Sequence, residues 1–156
     1  MRKCYIAYPK DGFKAGVSMA KKLEIKIGDF IFEAMLLEKL APVTCATLLK
    51  YLPHEEEGIH GRWSGYNIYV PWKIPPKEKI PPDNQTIYGS AGDVLWNTHP
   101  VFKEVFISYG VAQYRDEAGP LPANHFAKIT ENLEQLKNVC TQIWRKGPKK
   151  VSLRGK

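Results

Sequence analysis

The 156-residue sequence predicts a mainly β fold, a closed antiparallel barrel of about eight strands with one helix over each open end. Short apolar runs recur along the chain, and several alternate apolar and polar side chains as half-buried strands do. Two segments follow the helical period instead, and they lie far apart in the sequence. Glycines and prolines separate these segments, as turns require. The length, with 44% hydrophobic and 25% charged residues, fits one domain.

The first half of the chain predicts a hairpin, a helix and a second hairpin. Residues 23–27 alternate apolar and charged side chains, and Gly28-Asp29 is typical of a tight turn. Pro42 fits the first turn of a helix because its missing N–H has no partner there, and Pro53 stops the helix. The expected elements are strands 23–27 and 30–37, helix 42–52, and strands 59–63 and 66–70 around a Ser64-Gly65 turn.

The second half predicts further strands and the other helix. Residues 71–86 are too rich in proline for a central strand, so we expect a long covering loop that forms a lid over a site. Thr130 suits the N-cap of a helix whose apolar positions recur with the helical period. The expected elements are strands 92–96 and 104–109, loop 111–123, strand 126–129, helix 130–146 and strand 151–153.

The net charge of +7 is concentrated at the two ends of the chain. Residues 1–22 carry +5 and residues 145–156 carry +6, whereas residues 23–144 carry −4. A phosphate-binding groove needs clustered lysines and arginines on an ordered face, and the central region has none, so we expect no nucleic-acid partner. The longest apolar runs are too short to cross a bilayer, so we expect no membrane partner.

Three cysteines lie far apart and form no Cys-x-x-Cys pair, which excludes a zinc ribbon and a redox motif. Cys45 and Cys140 fall among apolar residues of the predicted helices and are expected to be buried, which favours a reducing, cytoplasmic location. The four histidines show neither His-x-His nor His-x-x-x-His spacing, and no Gly-x-Gly-x-x-Gly or phosphate-loop motif occurs. We therefore expect no metal and no cofactor.

Residues 1–18 differ from the remainder of the chain. They have an excess of lysine and arginine and no clear period, which favours a leader or a disordered arm before a domain at 19–156. Met19 stands just before the first clean strand, so translation could start at Met1 or at Met19.

The predicted strand 59–63 and the turn that follows it offer a group of polar side chains. Alternation places His60, Arg62 and Ser64 on one face and Trp63 on the other. An arginine fork binds carboxylates with two parallel hydrogen bonds, and a histidine near neutral pKa can move protons. The alternative is structural: Arg62 pairs with Glu104, and His60 satisfies a backbone carbonyl.

Polar residues in two later strands complete the candidate site. Glu104 opens an apolar strand, where burial would raise its pKa and make it a candidate general acid or base. Tyr109 ends that strand and can donate a hydrogen bond, and Asn124-His125 follows the second loop. We predict catalytic roles for Glu104, His60 and His125 and substrate binding by Arg62, Trp63, Ser64, Tyr109 and Asn124. Of these, Arg62, Trp63, Glu104, Tyr109 and His125 are expected to converge on one concave site, with His60 at its edge.

Four sequence blocks resemble a known family. They are Ile59-His-Gly-Arg-Trp-Ser-Gly65, Gly92-Asp-Val-Leu-Trp96, Glu104-Val-Phe-Ile-Ser-Tyr-Gly110, and Gly119 followed by Asn124-His-Phe-Ala127. Together they are similar to the cyclophilin-like family catalogued as domain of unknown function 3830, from about Leu23 to Arg154. The resemblance implies a cyclophilin-like barrel and a pocket rather than a reaction. An opine synthase of plant-associated bacteria carries a similar domain, which implies amine and keto-acid chemistry.

Two classes of function remain open at this stage. In the first, the protein acts on a small carboxylate-bearing amide, amine or keto acid in a surface pocket; in the second, it is a binding module for a small anionic ligand or a peptide end. Prolyl isomerase activity is disfavoured because Tyr66-Asn-Ile-Tyr69 does not match the Phe-Met-x-Gln stretch of cyclophilins, although Arg62 can stand for their arginine. Homo-oligomerisation stays open.

Overall fold

The structure is a computed structural model that describes residues 21–156. The expected leader or arm at residues 1–18 and the alternative start at Met19 lie outside the described residues. The strands are β1 (Lys22–Ile27), β2 (Phe30–Leu36), β3 (His54–His60), β4 (Gly65–Pro71), β5 (Gln85–Thr86), β6 (Tyr88–Gly89), β7 (Asp93–Asn97), β8 (Glu104–Gln113), β9 (Arg115–Asp116), β10 (Gly119–Pro120), β11 (Ala123–Ile129) and β12 (Lys149–Gly155), and the helices are α1 (Pro42–Leu49) and α2 (Leu133–Lys146).

Eight of these strands close into a barrel. They follow the order β2-β1-β12-β3-β4-β8-β7-β11, and β11 pairs with β2 to complete the ring. All of the pairings are antiparallel. The expected closed antiparallel barrel of about eight strands with two helices is therefore confirmed. Outside the ring, β5 and β6 add short pairings to β11 and β8, and β9 and β10 form a small separate hairpin.

Alternation along the strands creates two apolar clusters. Val105 and Ile107 of β8 point into the main core, which fills the barrel. Phe106, between them, belongs to a smaller cluster on the opposite face, with Leu95 and Tyr114. The barrel therefore has a second buried layer on the outer face of β7, β8 and β11, and the ends of that layer carry polar residues.

The two helices pack against opposite ends of the barrel. Cys45 and Leu48 of α1 lie beside Val105, near the start of β8. The buried stripe of α2 belongs to the same core, and this helix contacts β3, β4 and β8. Tyr109, four residues further along β8 than Val105, lies on the α2 side. No helix of the described residues is long and apolar enough to cross a membrane.

Both helices are shorter than the sequence predicts. After Leu49, the backbone N–H groups of Lys50 and Tyr51 bond to carbonyls three residues back, so the last turn tightens and α1 ends before Leu52. Helix α2 begins at Leu133 rather than at Thr130. Asn132 takes the N-cap position in a left-handed conformation, with φ of 56°, and makes no side-chain cap.

Strand β3 is displaced toward the N-terminus from its predicted position. It covers His54–His60, including three consecutive glutamates that favour no strand by propensity. Pairing with the basic strand β12 stabilises it, and Lys150 lies 2.7 Å from the Glu55 carboxylate. Because β3 ends at His60, residues 61–64 form a loop, and the alternation expected through Arg62 and Ser64 does not continue.

Candidate functional site

A cleft of about 320 Å³ opens on the outer face of the barrel, where β3 ends. Its walls are the loop 61–64, the exposed edge of the outer apolar cluster and the β9–β10 hairpin. We call it the outer cleft. The polar and aromatic side chains that line it and bear on its chemistry are Arg62, Trp63, Ser64, Asn67, Glu104, Arg115 and Asp116.

The loop 61–64 is held against its neighbours by backbone hydrogen bonds. The Gly61 N–H donates to the Asn67 carbonyl at 2.9 Å, and the Ser64 carbonyl accepts from the Gln113 N–H at 2.9 Å. Gly61 permits this close approach, since a Cβ there would overlap the Asn67 Oδ1 atom. The loop therefore presents Arg62 and Trp63 from a fixed backbone.

The Arg62 guanidinium is exposed at the mouth of the cleft. It lies 5.8 Å from the centroid of the Trp63 ring, within the range of a cation–π contact. Among residues 21–156 it forms no salt bridge. The structural alternative, in which Arg62 pairs with Glu104, is therefore not observed, and the guanidinium is available to an anion.

Glu104 is one of two half-buried carboxyls that line the outer cleft; the other is Asp116 of the β9–β10 hairpin. The Glu104 Oε1 atom accepts a hydrogen bond of 2.9 Å from the Nδ2 atom of Asn97, which is fully buried. The Asn97 Oδ1 atom in turn accepts from the His99 N–H at 2.9 Å, so the carboxamide is held at both ends. Burial raises the pKa of Glu104, and the hydrogen bond from Asn97 opposes part of that rise. The site thus holds a fixed carboxyl with a raised pKa.

A second arginine lines the cleft from the β9–β10 hairpin. The Ser64 hydroxyl donates to the Arg115 carbonyl at 3.3 Å and accepts from the Arg115 N–H at 3.2 Å. Ser64 therefore fastens the hairpin over the cleft and turns its hydroxyl toward the backbone rather than toward a ligand. Sequence reasoning missed Arg115 and Asn97; a lone arginine in a predicted loop and a single asparagine after an apolar strand carry no distinguishing pattern.

His60 lies at the edge of the outer cleft and also borders a second recess of about 670 Å³. We call this recess the aromatic bay; its side chains are His60, Arg62, Tyr66, Tyr109 and Trp144. The His60 Nε2 atom lies 2.7 Å from the Tyr109 hydroxyl. Burial lowers the pKa of His60 and raises the pKa of Tyr109 to about 12, so this pair is neutral near neutral pH. Tyr109 adjoins the cleft without lining it.

Asn124 does not reach the outer cleft. Its Nδ2 atom donates to the Thr44 hydroxyl at 2.9 Å and to the Pro81 carbonyl at 2.8 Å. Its Oδ1 atom accepts from the Asp83 N–H at 3.1 Å, and Asp83 accepts from the Thr44 N–H near the start of α1. Asn124 thus fastens the proline-rich segment 71–86 to α1. No residue of that segment lines the outer cleft, so the segment is not a lid over this cleft; its contacts with Thr44 and Asn124 hold it at the α1 end.

His125 also lies away from the outer cleft, beside a buried aspartate. Its Nε2 atom is 3.3 Å from Asp93 Oδ1, which also accepts from the Lys128 ammonium at 2.5 Å. Burial lowers the pKa of His125, although the Asp93 charge opposes this. Strand β11 is separated from loop 61–64 by β7, β8 and β4, which explains why neither Asn124 nor His125 joins the other predicted site residues. Within residues 21–156, no group of three or more His, Cys, Asp or Glu could hold a metal ion.

Comparison with known proteins places the chain in a family and identifies structural neighbours. A family model described as "Protein of unknown function (DUF3830)" matches residues 23–154, so the chain belongs to that family. None of the curated proteins is significantly similar to it in sequence.

Two solved structures share the fold. McbB, solved in complex with tryptophan, aligns with a TM-score of 0.63 at 19% identity, covering 85% of this chain and 44% of that one. The hypothetical protein AF2241 from Archaeoglobus fulgidus, solved in solution, aligns with a TM-score of 0.57 at 18% identity, covering 86% and 94%. This chain therefore spans less than half the length of McbB and nearly all of AF2241. At these identities the likeness shows the fold.

Proposed function

We propose that this protein binds a small carboxylate-bearing amide, amine or keto acid in the outer cleft and exchanges a proton with it through Glu104. One observation carries the proposal. Arg62 and Glu104 line the same cleft, yet they form no salt bridge with each other. An unpaired cation and a carboxyl with a raised pKa would otherwise be stabilised by pairing, so their separation leaves room for a ligand between them.

The two arginines would hold the ligand. The planar guanidinium of Arg62 can bind a carboxylate with two parallel hydrogen bonds. Arg115 adds a second positive charge across the cleft, on a hairpin that Ser64 keeps in place. Trp63 packs beside Arg62 and limits its orientations. An anionic end of the ligand would thus be anchored at the mouth, with the remainder extending toward Glu104.

Glu104 would perform the proton transfer. As a carboxylate it can accept a proton from the carbon next to the carbonyl of a keto acid, and the electron pair of the C–H bond moves into that carbonyl to form an enolate. The protonated Glu104 then returns a proton to the carbon. A raised pKa brings this group closer to neutral pH, which is where a general acid–base catalyst is most effective. Asn97 fixes the orientation of the carboxyl throughout.

Structural similarity to McbB supports the class of ligand. Tryptophan, which McbB binds, is a carboxylate-bearing amine. A second function remains supported by a specific observation: among residues 21–156, no hydrogen bond joins Glu104 to a histidine, and His60 bonds to Tyr109 instead. A binding module that recognises a small anion without chemistry is therefore the competing proposal.

A thermal-shift experiment tests the binding step. We expect keto acids, amino acids and their amides that retain a carboxylate to raise the melting temperature, because a ligand that binds only the folded state stabilises it. The matched methyl esters, which lack the negative charge, should have no effect. Arg62→Ala should abolish the shift, whereas the matched control Arg154→Ala, an exposed arginine outside the cleft, should leave it intact. An unchanged shift in Arg62→Ala contradicts the proposal.

Hydrogen–deuterium exchange at the ligand tests the chemical step. In deuterated water, the enzyme should replace the hydrogens next to the carbonyl of a bound keto acid, which proton NMR measures directly. Glu104→Gln should retain the thermal shift and slow this exchange by about 100-fold or more, the usual contribution of a general base. Binding without any exchange in the unmodified protein would favour the binding module.

A further inference from the structure

Three large aromatic side chains are exposed around Arg62. Trp63, Tyr66 and Trp144 have 51%, 58% and 61% of their surface accessible. Single exposed aromatics are ordinary, but a group of them around one concave surface is typical of a binding site. Trp63 lies on the side of the outer cleft, whereas Tyr66 and Trp144 belong to the aromatic bay.

These two bay side chains lie outside the buried core. The buried stripe of α2 is formed by Leu136, Val139, Cys140 and Ile143, and Trp144 lies just beyond it. Tyr66 is the second residue of β4, and its ring packs against the Tyr109 ring edge to face with the centroids 5.6 Å apart. Gly110 makes room for this arrangement, since a Cβ there would lie 2.9 Å from the Tyr66 Cβ.

The residues that line the bay favour a neutral aromatic ring. Tyr66 and Trp144 border it, and the bonded pair of His60 and Tyr109 lies between them. None of the described residues that line it is a carboxylate. The Arg145 guanidinium lies 5.7 Å from the Trp144 ring centroid, and Arg62 lines the bay. These two cations disfavour a positively charged guest, so the aromatic faces are better suited to a flat apolar group.

The bay and the outer cleft share His60, Gly61 and Arg62. A carboxylate held by Arg62 would therefore bring its substituent within reach of both recesses. We propose that the aromatic bay binds an aromatic ring on the same ligand whose carboxylate Arg62 holds, so that the protein takes aryl-substituted carboxylates. This inference rests on the proposed function of the outer cleft and deepens it by naming the class of ligand.

A matched pair of simple probes tests it. We expect 3-phenylpropanoate to bind about tenfold more tightly than propanoate, as one well-packed ring contact would provide. Trp144→Ala and Tyr66→Leu should each remove about three- to tenfold of the affinity for 3-phenylpropanoate and leave that for propanoate unchanged. Ile74→Ala, which alters another exposed apolar residue outside both recesses, is the control. Calorimetric titration gives the affinities, and circular dichroism checks that each variant is folded.

The outcomes separate this inference from the function on which it rests. Suppose that both carboxylates bind the unmodified protein with equal affinity, and that Arg62→Ala lowers both affinities whereas Trp144→Ala changes neither. The aromatic subsite is then refuted and the carboxylate site stands. If neither of these two carboxylates binds but the keto and amino acids raise the melting temperature, this inference alone is refuted; if none of these compounds binds, the proposed function is refuted as well. If benzyl alcohol competes with 3-phenylpropanoate and Arg62→Ala weakens only the acid, one ligand spans both recesses. If Arg62→Ala leaves the affinity for 3-phenylpropanoate unchanged while Trp144→Ala lowers it, the shared-ligand inference is refuted.

Discussion

The floor of the outer cleft rests on a hydrogen bond inside the outer apolar cluster. The hydroxyls of Ser108 and Tyr114 lie 2.5 Å apart, and both residues are fully buried. The Tyr114 ring stacks on Phe106, which lines the cleft, with centroids 4.9 Å apart and planes 8° from parallel. Burial raises the pKa of Tyr114, so its hydroxyl keeps its proton and can donate. We predict that Ser108→Ala and Tyr114→Phe are strongly coupled.

The expected size follows from the burial of both groups. Removing either hydroxyl leaves the other without a partner, which costs about 1–3 kcal/mol of unfolding free energy. Removing both leaves no orphaned group, so the double variant should lose about 1 kcal/mol rather than the sum of the single losses. At about 2–4 °C per kcal/mol for a protein of this size, each single variant should melt about 2–12 °C lower.

Urea and thermal denaturation followed by circular dichroism give the four free energies of the double-mutant cycle. Tyr88→Phe, which removes the hydroxyl of an exposed tyrosine, is the matched control and should have little effect. Single losses that add in the double variant would refute the reasoning, because additivity means that the two hydroxyls do not satisfy each other.

Three further predictions concern the site and the cysteines. The pKa of Glu104 is raised in the folded state, so the protonated carboxyl contributes stability that is fully present below its ordinary pKa and is lost as pH rises through the raised pKa. Denaturation at a series of pH values should therefore show Glu104→Gln becoming more stable relative to the unmodified protein as pH rises. An advantage of the variant that grows toward acid pH would contradict this. Gly61→Ala should lose about 1–3 kcal/mol by crowding Asn67, and Asn67→Ala added to it should recover much of that loss in melting experiments; no recovery would point to another cause. Burial raises the pKa of Cys45 to about 11 and of Cys140 to about 12. In a Cys4→Ser variant, a thiol reagent should therefore react with these two cysteines at neutral pH only after denaturation. Rapid labelling of the folded variant would contradict this prediction.

Local sequence pattern was sufficient where one face of an element is buried along its whole length. The β1–β2 hairpin follows the alternation of residues 23–27 and the turn at Gly28, whose φ is 57°. The apolar stripe of α2 follows the helical period, with Cys140 and Ile143 buried as their spacing implies. In β8, Glu104 and Phe106 share one face and Val105 and Ile107 the other. When one side of a helix or strand is buried, apolar residues recur along it at the helical or strand period, and this period can be recognised in a single sequence.

The local sequence pattern did not predict the structure of a segment that depends on pairing with a distant strand. Residues 54–57 fall between the predicted helix 42–52 and the predicted strand 59–63, yet they form the first half of β3. Their partner, β12, lies some ninety residues further along the chain and supplies opposite charge, as the contact between Lys150 and Glu55 shows. The strand forms because pairing satisfies its backbone, and local propensity does not report on a partner so far away.

The residue types of the candidate site were determined by the sequence alone: an arginine and a histidine beside one strand, and a glutamate at the start of an otherwise apolar one. Which of them meet was decided by the tertiary structure. The pairing of β4 with β8 brings Arg62, Glu104 and the unforeseen Arg115 to one cleft, whereas Asn124 and His125 lie elsewhere, on β11. The physical reason is that the walls of the cleft come from strands paired across long sequence separations, so that their register, rather than any local period, sets which side chains face one another.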